Sequence, residues 1–209
     1  MQSGSGLLIA YVAAASLLTI TPGLDTALVL RTAVTRGARA AALTGTGVAA
    51  GCFGWAVLVA FGLGAVLAAS AIAYDALRWI GAAYLLWLGY KMLRFPRRTF
   101  VTGAAVSPGR HKAFPTGLLT NLLNPKVGVF YVSFLPQFVP AGVRVAPYML
   151  LLGAIHALLG LIWFACLIAA TRPIARFLAR PSVVQVCDRL TGGMFVAFGV
   201  GLALDSRRP

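Results

Sequence analysis

Acidic side chains are almost missing from this chain. Among its 209 residues there is no glutamate and only four aspartates, Asp25, Asp75, Asp188 and Asp205, against 18 lysines and arginines. Histidine is scarcer still, with His111 between apolar runs and His156 alone inside one. Metal-dependent hydrolysis inside a membrane needs clustered histidine and acidic ligands, so that chemistry is excluded and no metal or cofactor is expected. Cys52, Cys166 and Cys187 stand apart without CxxC spacing, which gives neither a disulfide framework nor a zinc site. Charge of either sign is sparse too. Only 11% of residues are charged, where a soluble domain carries roughly 25%. With 60% hydrophobic residues and a mean hydropathy of +0.88, the chain reads as an integral membrane protein and not as an enzyme. The formal charge of +14 would suggest nucleic acid in a soluble protein. Here the basic residues fall in short connections between apolar runs, where they set topology and meet anionic lipid. No basic surface interleaved with aromatics points to nucleic acid. The first residues carry no basic side chain and no convincing cleavage pattern, so the first run is expected to be a retained helix.

The apolar runs predict an all-α membrane protein of six transmembrane helices, forming a single transmembrane domain over residues 1–209. Helix 1 covers about Leu7 to Leu30, helix 2 Ala41 to Ala69 and helix 3 Ala76 to Leu93. After a long connection from Arg94 to Ala113, read as a solvated cytoplasmic loop, come helix 4 (Thr116 to Val139) and helix 5 (Ala146 to Ala170). Helix 6 covers Leu190 to Leu204, with a start that reaches back toward Val183. Arg31, Arg36 and Arg39 are assigned to the turn after helix 1, Asp75 and Arg78 to a polar turn before helix 3, and Arg172, Arg176, Arg180 and Arg189 to the connection after helix 5. Gly47 and Gly51 have the spacing that lets two helix backbones approach closely, and such small-residue faces permit a homodimer. Trp79, Tyr84, Trp87 and Tyr90 read as interfacial anchors. The connections after helices 1, 3 and 5, with Lys91 at the end of helix 3, hold thirteen lysines and arginines and the opposite side four. The positive-inside rule then places both termini outside the cell.

Helix 1 is interrupted at Thr21-Pro22-Gly23, followed by Asp25. Neither flanking run alone reaches the ~20 residues a bilayer requires, so the break lies inside one span. Proline removes a backbone donor, and an ionisable group in hydrocarbon is costly unless paired or hydrated. Such a break is tolerated only against protein or water, which makes it a candidate site; the plainer alternative is a kink whose Asp25 satisfies freed amides. Helix 4 has a corresponding break at Asn124-Pro125-Lys126, with Asn121 one turn earlier. Residues 7–93 and 114–205 thus form two three-helix repeats of odd span number, necessarily inverted, with helices 1 and 4 broken at Pro22 and Pro125 near mid-bilayer. Paired interruptions of this kind point to a transporter's substrate site. Thr21 and Asn124, each before a proline, have the order of an N-cap and first-turn proline. Each break is therefore expected to open a half-helix with free amides facing the bundle. Lys126 and Asp25 match the two charges of a zwitterion, or alternatively neutralise each other. Asp25 and His156 are candidate proton relays, His156 equally a packed polar residue.

At these residues the chain resembles the LysE/RhtB amino-acid exporters. The resemblance rests on Thr19-Ile20-Thr21-Pro22-Gly23, on Leu77-Arg78-Trp79-Ile80-Gly81, and on Gly117 through Lys126. It also rests on Phe134-Leu135-Pro136-Gln137-Phe138 and Leu190-Thr191-Gly192-Gly193, and it extends over essentially the whole chain. It implies a multi-pass protein of the bacterial inner membrane that exports amino acids or close derivatives, driven by the proton motive force. The family usually reads Pro-Gly-Pro at the first break, where this chain has Leu24 for the second proline and keeps Asp25 after it.

The other function class is an ion channel, or a small-solute or metal-ion permease of the same architecture. No acidic ring supports a cation path. A thiol relay would need cysteines at the breaks of helices 1 and 4, and there are none. For the topology, a membrane-impermeant thiol reagent applied from the cytoplasmic side is expected to label a cysteine placed at Gly103 and to spare one placed at Gly142. The reverse pattern would invert the orientation and the direction of export.

Overall fold

Long apolar stretches become helices because, away from water, only intra-segment hydrogen bonds satisfy the backbone. The computed structural model describes residues 4–69, 71–97, 112–140, 142–178 and 180–204, and they contain no strand. The elements are α1 (Gly4–Ile20), α2 (Leu24–Arg36), α3 (Ala38–Ala69), α4 (Ala71–Arg94), α5 (Ala113–Leu122), α6 (Pro125–Val129), α7 (Val145–Ala169), α8 (Thr171–Leu178) and α9 (Pro181–Leu204). After α6 the coil widens into a π-helical turn over Phe130–Phe134 and tightens into a 3-10 turn over Leu135–Phe138. Residues Ala38–Gly62 of α3, together with α7 and α9, are each long and apolar enough to cross a membrane. Residues Ser5–Ile20 and Leu24–Arg36 do so as a pair bent by 50°. The chain is a helical, multi-pass membrane protein.

Several expected connections turn out to be helix. Arg31 and Arg36 complete α2, and Arg39 lies in the first turn of α3. The turn between them is Gly37 alone, whose φ of +84° is open to glycine and strained for other residues. Asp75 and Arg78 lie within α4, Arg172 and Arg176 within α8, and α9 begins at Pro181, enclosing Arg189. Arginine is a good helix former whose long stem carries its charge toward water, so a basic residue does not by itself end a span. The expected loop around His111 and Gly103 lies outside the described residues.

The core is built on aromatics that follow the second break. Phe130, Tyr131, Phe134 and Phe138 are buried with Tyr11 of α1 and Phe195 of α9. The Tyr11 hydroxyl donates to the Leu152 carbonyl of α7 at 2.8 Å. Trp79, Trp87 and Tyr90 face outward from α4, while Tyr84 lines cavities beside the second break.

Elsewhere backbones meet directly. A Cβ built on Gly47 of α3 would run into the Phe114 carbonyl of α5, and one on Gly117 of α5 into the Thr44 carbonyl of α3. Gly89 of α4 and Gly192 of α9 oppose each other in the same way: a Cβ built on either would lie within 2.9 Å of the other's carbonyl oxygen. These contacts have the small-residue geometry that packs helices where lipid offers no hydrophobic drive. Gly117→Ala is therefore expected to cost about 1–3 kcal/mol through overpacking. Gly193→Ala, with nothing within 4 Å of its Cβ, should hold the midpoint or raise it slightly, since alanine is the better helix former. Thermal unfolding in detergent measures both, and equal midpoints would disprove the close crossing.

Candidate functional site

Proline at position 22 has no N–H, so the carbonyl of Leu18, four residues earlier, loses its helical donor. Lys126, from the other break, supplies one. Its ammonium donates to the Leu18 carbonyl at 3.2 Å and the Thr21 carbonyl at 3.3 Å. A cation thus sits on the carbonyl end of α1, where the helix dipole favours it. Arg97, just beyond α4, donates to the Pro22 carbonyl at 2.8 Å.

Asp25 lies in the first turn of α2, the end of a helix that favours a negative charge. Its Oδ2 accepts from Asn121 Nδ2 at 2.9 Å and Asn124 Nδ2 at 3.2 Å. Its Oδ1 is buried and has no donor, and neither has Oδ1 of Asn121. Asn124 has a second role. Extended backbone, imposed by the proline that follows it, places its Oδ1 to accept from the Lys126 amide at 3.1 Å, so it caps α6 with Pro125 in the first turn. Thr21 has no such role, and here the expectation is corrected. Its hydroxyl bonds back to the Leu17 carbonyl at 2.6 Å and pairs with the Thr191 hydroxyl of α9 at 2.6 Å. The N-cap of α2 is Gly23, without a side-chain bond. Because α2 begins at Leu24, the cap position falls on Gly23, and Thr21 lies two residues too early to fill it.

Asp25, Lys126, Asn124, Thr21 and Gly23 line one cavity of about 50 Å³ between the two breaks, and His156 of α7 closes its wall. His156 is buried, with Nδ1 3.0 Å from the Tyr131 hydroxyl. Cys52 of α3 also lines the cavity, in reach of Asn121 Nδ2 at 3.3 Å. Asp25 and Lys126 face the same space while each is held by other partners. A cavity of this size holds water and must open before it could take a larger solute.

The family profile described as LysE type translocator matches residues 16–206. The chain belongs to this family. Its members are translocators, which sets the chain among transporters and apart from enzymes. An uncharacterized membrane protein of Bacillus subtilis, YrhP, is 31% identical over 95% of this chain and 99% of its own. A homoserine/homoserine lactone efflux protein of Salmonella typhi is 31% identical over 93% of this chain and 94% of its own. A leucine efflux protein of Enterobacter sp. is 29% identical over 92% and 93%. No solved structure matches.

In this LysE-type translocator the sequence reading missed a second set of polar residues. Arg97, assigned to a solvated loop, instead reaches Asp188 of α9, which is 1% exposed. Its Nε donates to Oδ2 at 2.9 Å, its Nη2 to Oδ1 at 2.6 Å, and its backbone amide to Oδ2 at 2.9 Å. The usable signal was the rarity of acids, since a buried one requires a cation. Nothing in sequence spacing singled out Arg97. The pair joins the end of α4, the first break and α9. Arg97→Gln and Asp188→Asn are each expected to lower the unfolding midpoint, and the double variant to fall no further than the worse single. Strictly additive losses would show that the two side chains do not act as a unit.

Proposed function

We propose that the protein exports amino acids or close derivatives from the cytoplasm, coupled to the proton motive force across the bacterial inner membrane. The observation that carries this reading is the unpartnered Asp25 Oδ1 facing the same buried space as the Lys126 ammonium. An α-ammonium group supplies the donor that Asp25 Oδ1 lacks. Lys126 has three donors and spends two on carbonyls, which leaves one for a substrate carboxylate. Relatives named for efflux of homoserine and of leucine support an amino-acid substrate.

In this reading Asp25 exchanges between a proton and the substrate ammonium as the cavity alternately wets and closes, and His156 with Tyr131 passes protons along the same wall. Six spans in two inverted repeats, with the three basic connections and the substrate entrance on the cytoplasmic side, provide the two-fold frame for alternating access. Thr21, Pro22, Gly23, Asn121, Asn124 and Pro125 then shape the site, and Asp25 and Lys126 act in it directly.

The test is counterflow of labelled amino acids in proteoliposomes under an imposed proton gradient. Asp25→Asn keeps an oxygen for both asparagine donors and should fold, yet proton-driven export should fall by two orders of magnitude or so, as expected when an obligatory charged group is lost. Lys126→Ala should weaken substrate binding and also destabilise the first break by about 2–3 kcal/mol, through the two carbonyls it leaves bare. Wild-type export by both variants would reduce the residues to structural caps. Recovery of export in the double variant Asp25→Asn/Lys126→Ala would instead favour mutual neutralisation. Conductance to simple anions, with no amino acid carried, would favour a channel.

A further inference from the structure

A second cavity, of about 230 Å³, shares Lys126 as a wall with the central one. It lies between the end of α4, the segment after it, the start of α6 and α9. Lys91, Arg97 and Lys126 line it against one carboxylate, Asp188. Both oxygens of Asp188 are already engaged by Arg97. Among the described residues the cavity therefore presents an excess of positive charge with no acid left over. Its mouth, among the described residues, is open: Lys91 is exposed and holds its ammonium 5.2 Å from the Trp87 ring, and Phe95 is 64% exposed. An exposed lysine and Arg94 at the same helix end require water or lipid headgroups there, because neither is tolerated in hydrocarbon. The remaining surface is apolar, supplied chiefly by Leu88, Met92 and Phe95.

We propose that this cavity is a second substrate site, a vestibule ahead of the central one, that selects amino acids with uncharged apolar side chains. The substrate carboxylate meets Lys91 and Lys126, its side chain lies on Leu88, Met92 and Phe95, and its ammonium stays toward the open mouth. A basic amino acid brings a second cation into a space already positive and finds no acid to receive it. The Arg97–Asp188 pair forms the floor, tying the vestibule to the Pro22 carbonyl and so to the first break. This inference rests on the reading of the protein as an amino-acid exporter and adds which amino acids are admitted.

The experiment is leucine counterflow by the full-length protein in proteoliposomes, with unlabelled leucine, alanine and lysine as competitors. For the wild type, leucine is expected to compete and lysine to fail. Lys91→Glu changes an exposed residue, so folding is not at stake. It should raise the apparent KM for leucine roughly tenfold, as reversal of one nearby charge implies, an effect that saturating leucine overcomes, and it should turn lysine into a competitor. Phe95→Ala should raise the KM for leucine and leave that for alanine as it was. A wild-type protein that carries leucine, with Lys91→Glu unchanged in both leucine KM and lysine rejection, would overturn the vestibule and leave the exporter standing. Equal effects of Phe95→Ala on leucine and alanine would overturn the apolar seat. Counterflow of no amino acid by the wild type would overturn the exporter reading and the vestibule with it.

Discussion

A proline in the middle of a membrane-spanning segment leaves a carbonyl without a donor, and in this protein that donor comes from the opposite break. Lys126 reaches across to Leu18 and Thr21, so the ammonium and the carbonyl end of α1 solve one another's problem. In hydrocarbon neither would persist alone, since the charge and the bare carbonyls each cost several kcal/mol. The bond fixes the two breaks face to face, and the central cavity exists because they are held there.

The asparagines complete that arrangement. The chain has two, Asn121 and Asn124, and both donate to Asp25. Asn124 also caps α6, so the element that starts the second half-helix is the one that holds the carboxylate of the first. Asp25 is thereby held through Oδ2 while its Oδ1 has no donor. A site satisfied on every atom would be a structural knot. This one has acceptor capacity in reserve, which is what a ligand with donors requires.

Around it, rigidity comes from places where side chains have been removed. The Gly47–Gly117 and Gly89–Gly192 crossings press helix backbones together, and a Cβ on Gly51 would stand 2.7 Å from Asn121 Oδ1. The glycine face of α3 therefore both packs the bundle and leaves room for the asparagine that serves Asp25. Packing and site are served by one stripe of residues, and the Arg97–Asp188 pair adds a tie at the level of the first break.

Composition, proline positions and the sparse acids were enough to announce a helical membrane protein with two breaks and to draw Asp25, Asn124 and Lys126 together. Those features are local or energetic: an apolar run must be helical in lipid, a proline must leave a carbonyl bare, and a lone charge must find company. Which company it finds is not local. Asn124 caps its helix because the following proline dictates its backbone, whereas Thr21, in a similar sequence setting, turns back to Leu17 and across to Thr191. Lys126 and Asp25 each take partners other than one another because the helix ends and asparagines lie nearer to hand. Arg97 leaves its supposed loop for Asp188, 91 residues away. Charge and periodicity say that such groups require partners, and only the packing of the helices against one another decides which partners come within about three ångströms of them.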